Sequence, residues 1–228
     1  MKKLIINADD FGYREGINKG IIYAHKNGLV TSTSLFVNRD ATKEAIQLAK
    51  ENPSLGVGIH LDLDKYFEID HHLGAVVRWL DPRPPSEELE REIRAQLDLF
   101  NSFGLVLDHI DSHHHTHLDP AIFPIIAKIA GERNVPVRFH SRFYSDQSVY
   151  AQMNERVKSN GLHVLDHFIE GWYWGNVDEQ YQVAELMTHP GYGELWREAE
   201  LAHCCQKHLR DYFIGQNIEL MRFADLVK

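Results

Sequence analysis

Cysteine is scarce in this chain of 228 residues, because only Cys204 and Cys205 occur and they are neighbours. Adjacent cysteines cannot close a long loop, and two cysteines do not make a disulfide framework. A reducing compartment is therefore expected, and we predict a cytoplasmic location. No apolar run approaches the roughly 18 residues of a membrane span. The apolar stretch after Met1 is also too short for the core of a signal peptide.

Basic residues are outnumbered by acidic ones, with 24 Lys and Arg against 33 Asp and Glu, for a net charge of −9 with neutral histidines. This balance repels a phosphate backbone and argues against a general nucleic-acid binder. A hydrophobic fraction of 43% with 25% charged residues is ordinary for a globular protein and excludes wholesale disorder. No linker, low-complexity tract or short repeat divides the chain, so we expect one domain over residues 1–228.

Strand-like and helix-like segments alternate about seven times along the chain. This alternation predicts an α/β fold with a parallel sheet, and the count favours a (β/α) barrel, irregular and with seven or eight strands, over an open sheet. The segment 62–85 is expected to be a long loop. Strands are predicted at 3–8, 31–37, 55–60, 105–110, 135–139, 163–165, 184–187 and 218–222, and helices at 16–25, 41–50, 86–100, 120–132, 147–160 and 194–210.

Carboxylates and imidazoles stand where these strands end. In parallel α/β folds the carboxyl ends of the strands meet on one side, where functional groups gather. Imidazole and carboxylate are the ligands of Zn²⁺ and other divalent ions, so we expect a metal site on this side. The strand ends carry Asp9, Asp10, His60, the segment 113–117, His140, His167 and His189.

Asp9 and Asp10 are adjacent carboxylates that repel each other, and a divalent cation would relieve that repulsion. Strand alternation points the two side chains to different sides, so one could bind metal while the other faces substrate. The alternative is a solvated pair that caps the following helix.

Four of the fifteen histidines lie between positions 113 and 117. If the segment is extended, His113, His115 and His117 share a face, and if it is helical, His113 and His117 form an i, i+4 pair. Either way at least two imidazoles can converge. The alternative is a polar loop of solvated histidines or an adventitious metal site. Likewise, His60 could be a structural histidine, and His189 could simply pack beside Pro190.

Four motifs in order resemble the YdjC-like carbohydrate deacetylases, of which chitooligosaccharide deacetylase is the best-known member. The likeness extends over nearly the whole chain. One difference concerns the segment Leu61–Lys65, where many relatives have a loop rich in Thr and Gly that borders the site. The motifs are Asn7–Gly12, Gly58–Leu61, His109–His117 and His189–Tyr192, and Val30–Ser34 and Asp166–Phe168 also match.

The resemblance implies a barrel related to polysaccharide deacetylases that holds one divalent metal ion, Mg²⁺ or Zn²⁺. Carried over by motif, the metal ligands are Asp10, His60 and His113. Asp9 becomes the general base and His189 the acid that protonates the departing nitrogen. The substrate contacts expected with them are Arg138, Asp166, His115, Tyr192 and Trp174.

The expected reaction is metal-dependent hydrolysis of an N-acetyl group from an amino sugar or a short chitooligosaccharide, with release of acetate. Two alternatives stay open, namely another metal-dependent barrel enzyme (a phosphoesterase or a sugar isomerase) and a non-catalytic sugar-binding protein. The expected partner is a small carbohydrate, with no nucleic acid and no membrane, and a homodimer stays open.

Overall fold

The computed structural model describes residues 1–70, 74–171 and 180–227. Strands and helices alternate, with one antiparallel hairpin inserted after the third strand. The strands are β1 (Lys2–Phe11), β2 (Ser32–Leu35), β3 (Gly56–Leu61), β4 (Phe67–Asp70), β5 (Ala75–Trp79), β6 (Leu107–Ser112), β7 (His167–Glu170), β8 (Val183–Thr188) and β9 (Ile218–Leu220). The helices are α1 (Glu15–Asn27), α2 (Thr42–Glu51), α3 (Ser86–Ser102), α4 (Phe123–Arg133), α5 (Gln147–Ser159), α6 (Leu195–Cys204) and α7 (Lys207–Gly215). No helix in the described part of the chain is long and apolar enough to cross a bilayer.

Seven strands form one parallel sheet in the order β6-β3-β2-β1-β8-β7, with β9 also paired to β1. Beyond β6, Val137 makes a single parallel bridge to Ile110, and the Val137 N–H donates to the His163 carbonyl at 3.1 Å. Backbone contacts therefore run from β6 through Val137 to the segment that leads into β7. The predicted α/β fold with parallel strands, irregular at this side, is confirmed.

Two predicted strands differ from the structure. The segment 135–139 forms only the Val137 bridge, because Pro136 has no N–H to donate to a ladder. The strand expected at 163–165 lies instead at 167–170, so Asp166 precedes β7 rather than ending a strand.

Two other predicted segments also differ. The expected loop at 62–85 contains a 3-10 turn at Asp64–Tyr66 and the hairpin of β4 and β5. The helix expected at 194–210 is two helices, α6 and α7, separated at Cys205 and Gln206.

The core lies between the sheet and the apolar faces of the helices. The 3.6-residue spacing of apolar side chains turns one face of each helix inward. Each buried Leu, Ile or Phe side chain contributes about 1.5–3 kcal/mol. Fully or nearly fully buried positions include Ile17 and Ile21 of α1, Leu89, Ile93, Leu97 and Phe100 of α3, and Ile126 and Ile129 of α4.

Two glycines of β3 make room for polar side chains inside the sheet. Gly56, Gly58 and His60 share one face of the strand because side chains alternate. A Cβ on Gly56 would lie 2.6 Å from the Asp108 carboxylate, and one on Gly58 would lie 2.4 Å from the His109 ring. The β3–β6 register shifts between Val57 and Ile59, an irregularity that lets the neighbours Asp108 and His109 both face β3.

Replacing Gly58 by alanine should lower the free energy of unfolding by about 1–3 kcal/mol, because the new methyl group overlaps the buried His109 ring. Gly215→Ala is the matched control, since nothing lies within 4 Å of its added Cβ, and it should be neutral or stabilising by up to about 1 kcal/mol. Urea denaturation of the two variants measures the difference. Equal stabilities would contradict this account of the β3 glycines.

Candidate metal and catalytic site

A cavity of about 440 Å³ opens where β1, β3, β6 and β8 end. Its position agrees with the rule that parallel strands present functional groups at their carboxyl ends. The lining includes Asp9, Asp10, His60, His113, His114, His115, His189, Trp196 and Arg197.

Asp10 turns one carboxylate oxygen toward a ring nitrogen of each of the two histidines predicted as ligands with it. Asp10 Oδ1 lies 3.6 Å from His60 Nε2 and 3.9 Å from His113 Nε2. Ligand atoms that each lie about 2.0–2.2 Å from one ion have separations of this size. The structure therefore brings together Asp10, His60 and His113, which are far apart in the sequence.

The other polar atom of each of these side chains is already bonded. His60 Nδ1 lies 2.7 Å from Asp111 Oδ1, and His113 Nδ1 lies 2.8 Å from Asp64 Oδ2. Arg197 donates to Asp10 Oδ2 at 2.6 Å. A carboxylate on Nδ1 fixes the Nδ1–H form of an imidazole and leaves Nε2 as the free lone pair, which is the usual outer support of a metal-binding histidine.

Asp10 is the clearest indication that this point suits a cation. Burial raises its pKa, but Arg197, His189, His113 and His60 outweigh burial and hold the pKa well below its usual value. Its Oδ1 is buried without a hydrogen-bond partner, and an unsatisfied buried carboxylate oxygen is costly unless something positive meets it. Asp10 also has a φ of 74°, a conformation rare for a residue with a side chain.

Among the described residues, two groups of carboxylates and imidazoles have all their ligand atoms within 4.8 Å of one another, and neither is the set Asp10, His60 and His113. In the first, Asp9, His60 and Asp111, the carboxylates of Asp9 and Asp111 already meet the Arg138 guanidinium. In the second, Asp64, His113 and His114, the carboxylate is already bonded to both Nδ1 atoms.

The Asp9 carboxylate is bonded on its interior side by Arg138. The guanidinium donates to both carboxylate oxygens, at 2.8 and 2.7 Å, and Asn7 Nδ2 donates to Oδ1 at 2.8 Å. Such a two-pronged pair fixes direction as well as charge. Arg138 is fully buried and also bonds Glu185. The expected substrate contact at Arg138 is therefore corrected, because its side chain reaches Asp9 and not the cavity.

A buried chain of polar groups continues behind His60. Asp111 accepts from Ser34 Oγ at 2.6 Å and lies 3.5 Å from His109 Nε2, while His109 Nδ1 lies 3.0 Å from Asp108. Burial lowers the pKa of His109, but its hydrogen bonds to Asp108 and Asp111 outweigh burial and raise the pKa to about 9. Burial likewise lowers the pKa of His60, and Asp111 outweighs it, so that this pKa is raised.

The histidines of segment 113–117 face different ways. His114 and His115 both adopt left-handed backbone conformations, with φ of 50° and 54°, and line the cavity with His113. His117 points into the interior, where it bonds Ser112 Oγ and the Arg138 carbonyl, and burial lowers its pKa to about 4. The segment forms a 3-10 turn that is interrupted at His114 and His115, so it is neither extended nor a regular helix.

His189 lies on the cavity wall contributed by the end of β8. The backbone N–H of His189 donates to Glu200 Oε2 at 2.6 Å, and the ring atom Nδ1 lies 3.9 Å from the same oxygen. The Trp196 ring lies 5.7 Å away, with half of its surface exposed.

Two expected substrate contacts, Asp166 and Tyr192, are absent from the cavity lining. Asp166 accepts hydrogen bonds from the backbone N–H groups of Gln182 and Val183 at the opposite end of the sheet. Tyr192 is not part of the cavity lining; its backbone N–H donates to the Gly16 carbonyl and its side chain is exposed, so its role as a substrate contact stays a prediction. Trp174 lies outside the described residues.

Arg197 and Asp64 were not expected from the sequence as parts of the site. Arg197 stands on a helix eight residues after His189, and a lone arginine there gave no signal. Asp64 lies in the segment that differs from the family pattern, and this difference was its only signal.

The model of the YdjC-like protein family matches residues 3–214. A carbohydrate deacetylase of Brevibacillus brevis is 38% identical over 98% of this chain and 99% of its own length. A carbohydrate deacetylase of Clostridium beijerinckii is 34% identical over 98% of this chain and 100% of its own length.

Among solved structures, a proposed cellobiose-phosphate cleavage protein of Enterococcus faecalis superposes with a TM-score of 0.79 at 25% identity, covering 99% of this chain and 98% of that one. A family 4 carbohydrate esterase of Streptomyces lividans, in complex with acetate, has a TM-score of 0.50 at 11% identity, covering 96% of this chain and 91% of that one, and shares the fold.

Because the pKa of His109 is raised in the folded chain, its contribution to stability is fully present below pH 6.5 and is lost as the pH rises past about 9. The free energy of unfolding of the wild type should therefore fall between these pH values by about 1–3 kcal/mol more than that of His109→Gln. Urea denaturation between these pH values measures it, with the exposed His208→Gln as control. Identical pH slopes for the wild type and His109→Gln would contradict the assignment.

Proposed function

Because the chain belongs to the YdjC-like family, we propose that it removes an N-acetyl group from an amino sugar or short chitooligosaccharide, releasing acetate, within one domain over residues 1–228. Curated relatives are carbohydrate deacetylases. The observation that carries the proposal is the approach of Asp10 Oδ1 to the Nε2 atoms of both His60 and His113, at 3.6 and 3.9 Å. They share one cavity with Asp9, whose carboxylate Arg138 holds in place.

Asp10, His60 and His113 would hold one divalent ion. One carboxylate and two imidazoles suit Zn²⁺ and other first-row ions, and Mg²⁺ is the alternative. When bound, such an ion acidifies water and polarises a carbonyl oxygen. The buried, unpartnered Asp10 Oδ1 supports this assignment.

Asp9 is the general base in this proposal. Two hydrogen bonds from the Arg138 guanidinium fix the direction of the Asp9 carboxylate, which lines the cavity and can take a proton from water there. A positioned base of this kind contributes roughly 10²–10⁴-fold to the rate. His189, on the wall at the end of β8, is the group that gives a proton to the amine nitrogen as the C–N bond breaks.

Trp196 supports a sugar as the substrate. The Arg197 guanidinium lies 4.2 Å from the Trp196 ring centre. Trp196 lines the cavity and half of its surface is exposed. An exposed indole offers a flat apolar surface on which the carbon face of a sugar ring can pack.

The proposal is tested by incubating the metal-loaded protein with N-acetylglucosamine, its dimer and its trimer, and measuring acetate release and the loss of an acetyl group by mass spectrometry. A phosphorylated disaccharide belongs in the panel, since the Enterococcus faecalis relative is named for cellobiose phosphate. A phosphate ester serves as the competing substrate. Phosphate release without acetate release, or sugar binding without turnover, overturns the proposal.

Asp9→Asn should keep metal bound and lower turnover by at least 10²-fold, because the amide cannot accept the proton. His113→Ala should instead lose the metal, since it removes an imidazole that faces Asp10. Metal content by mass spectrometry and acetate release separate the two effects, and the exposed His208→Ala is the control for histidine loss. Full turnover by metal-loaded Asp9→Asn would show that another group is the base.

Trp196→Ala should raise KM for the disaccharide by roughly 2- to 10-fold with a smaller effect on kcat, because sugar stacking is lost. Trp196→Phe keeps an aromatic face and should recover most of the affinity. Metal affinity is measured in parallel, since Arg197 packs on this ring and also bonds Asp10. An unchanged KM for both variants excludes the platform.

A further inference from the structure

The segment after β3, which departs from the family pattern, brings a carboxylate to the histidines of the site. Asp64 Oδ2 lies 2.8 Å from His113 Nδ1 and 3.0 Å from His114 Nδ1. One oxygen therefore meets two neighbouring imidazoles, whose ring centres are 3.8 Å apart.

The segment that carries Asp64 is firmly held. Leu63 is fully buried, and Asp62 pairs with Arg39 at 2.6 Å. The backbone of Asp62 also exchanges two hydrogen bonds with the Gln96 side chain, at 2.9 and 2.8 Å. The position of Asp64 is thus fixed by its neighbours in the segment. An outer partner that orients a metal-binding histidine needs such a fixed position.

The hydrogen bonds have a direct chemical consequence. A carboxylate accepts a hydrogen bond from Nδ1–H, so both imidazoles carry their proton on Nδ1 and keep a lone pair on Nε2. For His113 this lone pair is the atom that faces Asp10. Asp64 also holds His114, whose backbone φ of 50° is otherwise unfavourable.

We propose that Asp64 is a positioning residue that fixes the Nδ1–H form and the direction of His113, and ties His114 to the same carboxylate. This inference rests on the proposed metal site and extends it, since neither the family resemblance nor the motifs assign a role to Asp64. The support for this inference is that two imidazoles, of His113 and His114, both bond one Asp64 oxygen, and that Asp64 lies on a firmly held segment.

The experiment measures affinity for Zn²⁺ by competition with a chromogenic chelator, in the wild type, Asp64→Asn and Asp64→Ala. Loss of an outer carboxylate typically costs 10–100-fold in metal affinity. We expect a loss in that range for Asp64→Ala and a smaller one for Asp64→Asn, whose amide oxygen can still accept one hydrogen bond. Asp62→Asn is the matched control. It also removes one negative charge from the same segment, but the partner of Asp62 is Arg39 and not a histidine.

A second readout separates positioning from general damage to the fold. In metal-free protein, long-range ¹⁵N–¹H spectra of the imidazoles report which nitrogen carries the proton. Wild-type His113 should be protonated on Nδ1, and Asp64→Ala should shift population to Nε2–H while thermal unfolding stays close to that of Asp62→Asn. Unchanged tautomer and unchanged Zn²⁺ affinity in Asp64→Ala overturn the inference.

Three histidine variants distinguish this inference from the proposed site. If His60→Ala and His113→Ala bind Zn²⁺ as tightly as the wild type, the proposed site itself is wrong. If both lose Zn²⁺ while Asp64→Ala does not, only the role of Asp64 fails. His114→Ala should retain Zn²⁺ affinity, and a loss as large as that of His113→Ala would instead make Asp64, His113 and His114 the metal site.

Discussion

The candidate site depends on the compensation of buried carboxylates by a single guanidinium. Arg138 is completely buried and pairs with Asp9, Asp111 and Glu185. One positive charge does not balance three acids, and an unpaired buried charge costs several kcal/mol. The balance comes from His109, whose pKa is raised to about 9, and from burial of Glu185, which raises its pKa. The same pairs orient Asp9 toward the cavity and Asp111 toward His60.

Each of the three converging side chains has its own outer partner, and the partners come from three different elements. Arg197 of α6 bonds Asp10, Asp111 of β6 bonds His60, and the turn after β3 brings Asp64 to His113. At the cavity, Asp10 Oδ1 then faces the Nε2 atoms of His60 and His113, at 3.6 and 3.9 Å. The architecture thus settles which atoms are available before any ligand arrives, which is how a fold makes a site selective.

Sequence reasoning succeeded where a local pattern has one structural outcome. Alternation of strands and helices predicted the parallel sheet, and the acidic residues and histidines at the strand ends predicted the side on which functional groups gather. The choice of Asp10, His60 and His113 came from the resemblance to the family. Sequence reasoning failed where a long-range contact decides. The resemblance to the family suggested Arg138 as a substrate contact, yet its side chain turns inward, where it bonds Asp9 and Glu185. Asp166 was misplaced because β7 begins after it.

The amino-acid sequence by itself determined the class of fold, the family and the end of the sheet at which the chemistry gathers, because periodicity and motif order are local properties of the chain. The tertiary structure alone decided which nitrogen and oxygen atoms remain free. That choice depends on partners as distant in sequence as Asp9 and Arg138, or Asp64 and His113. Hydrogen bonds are directional and act over about 3 Å, so only the folded chain can assign them.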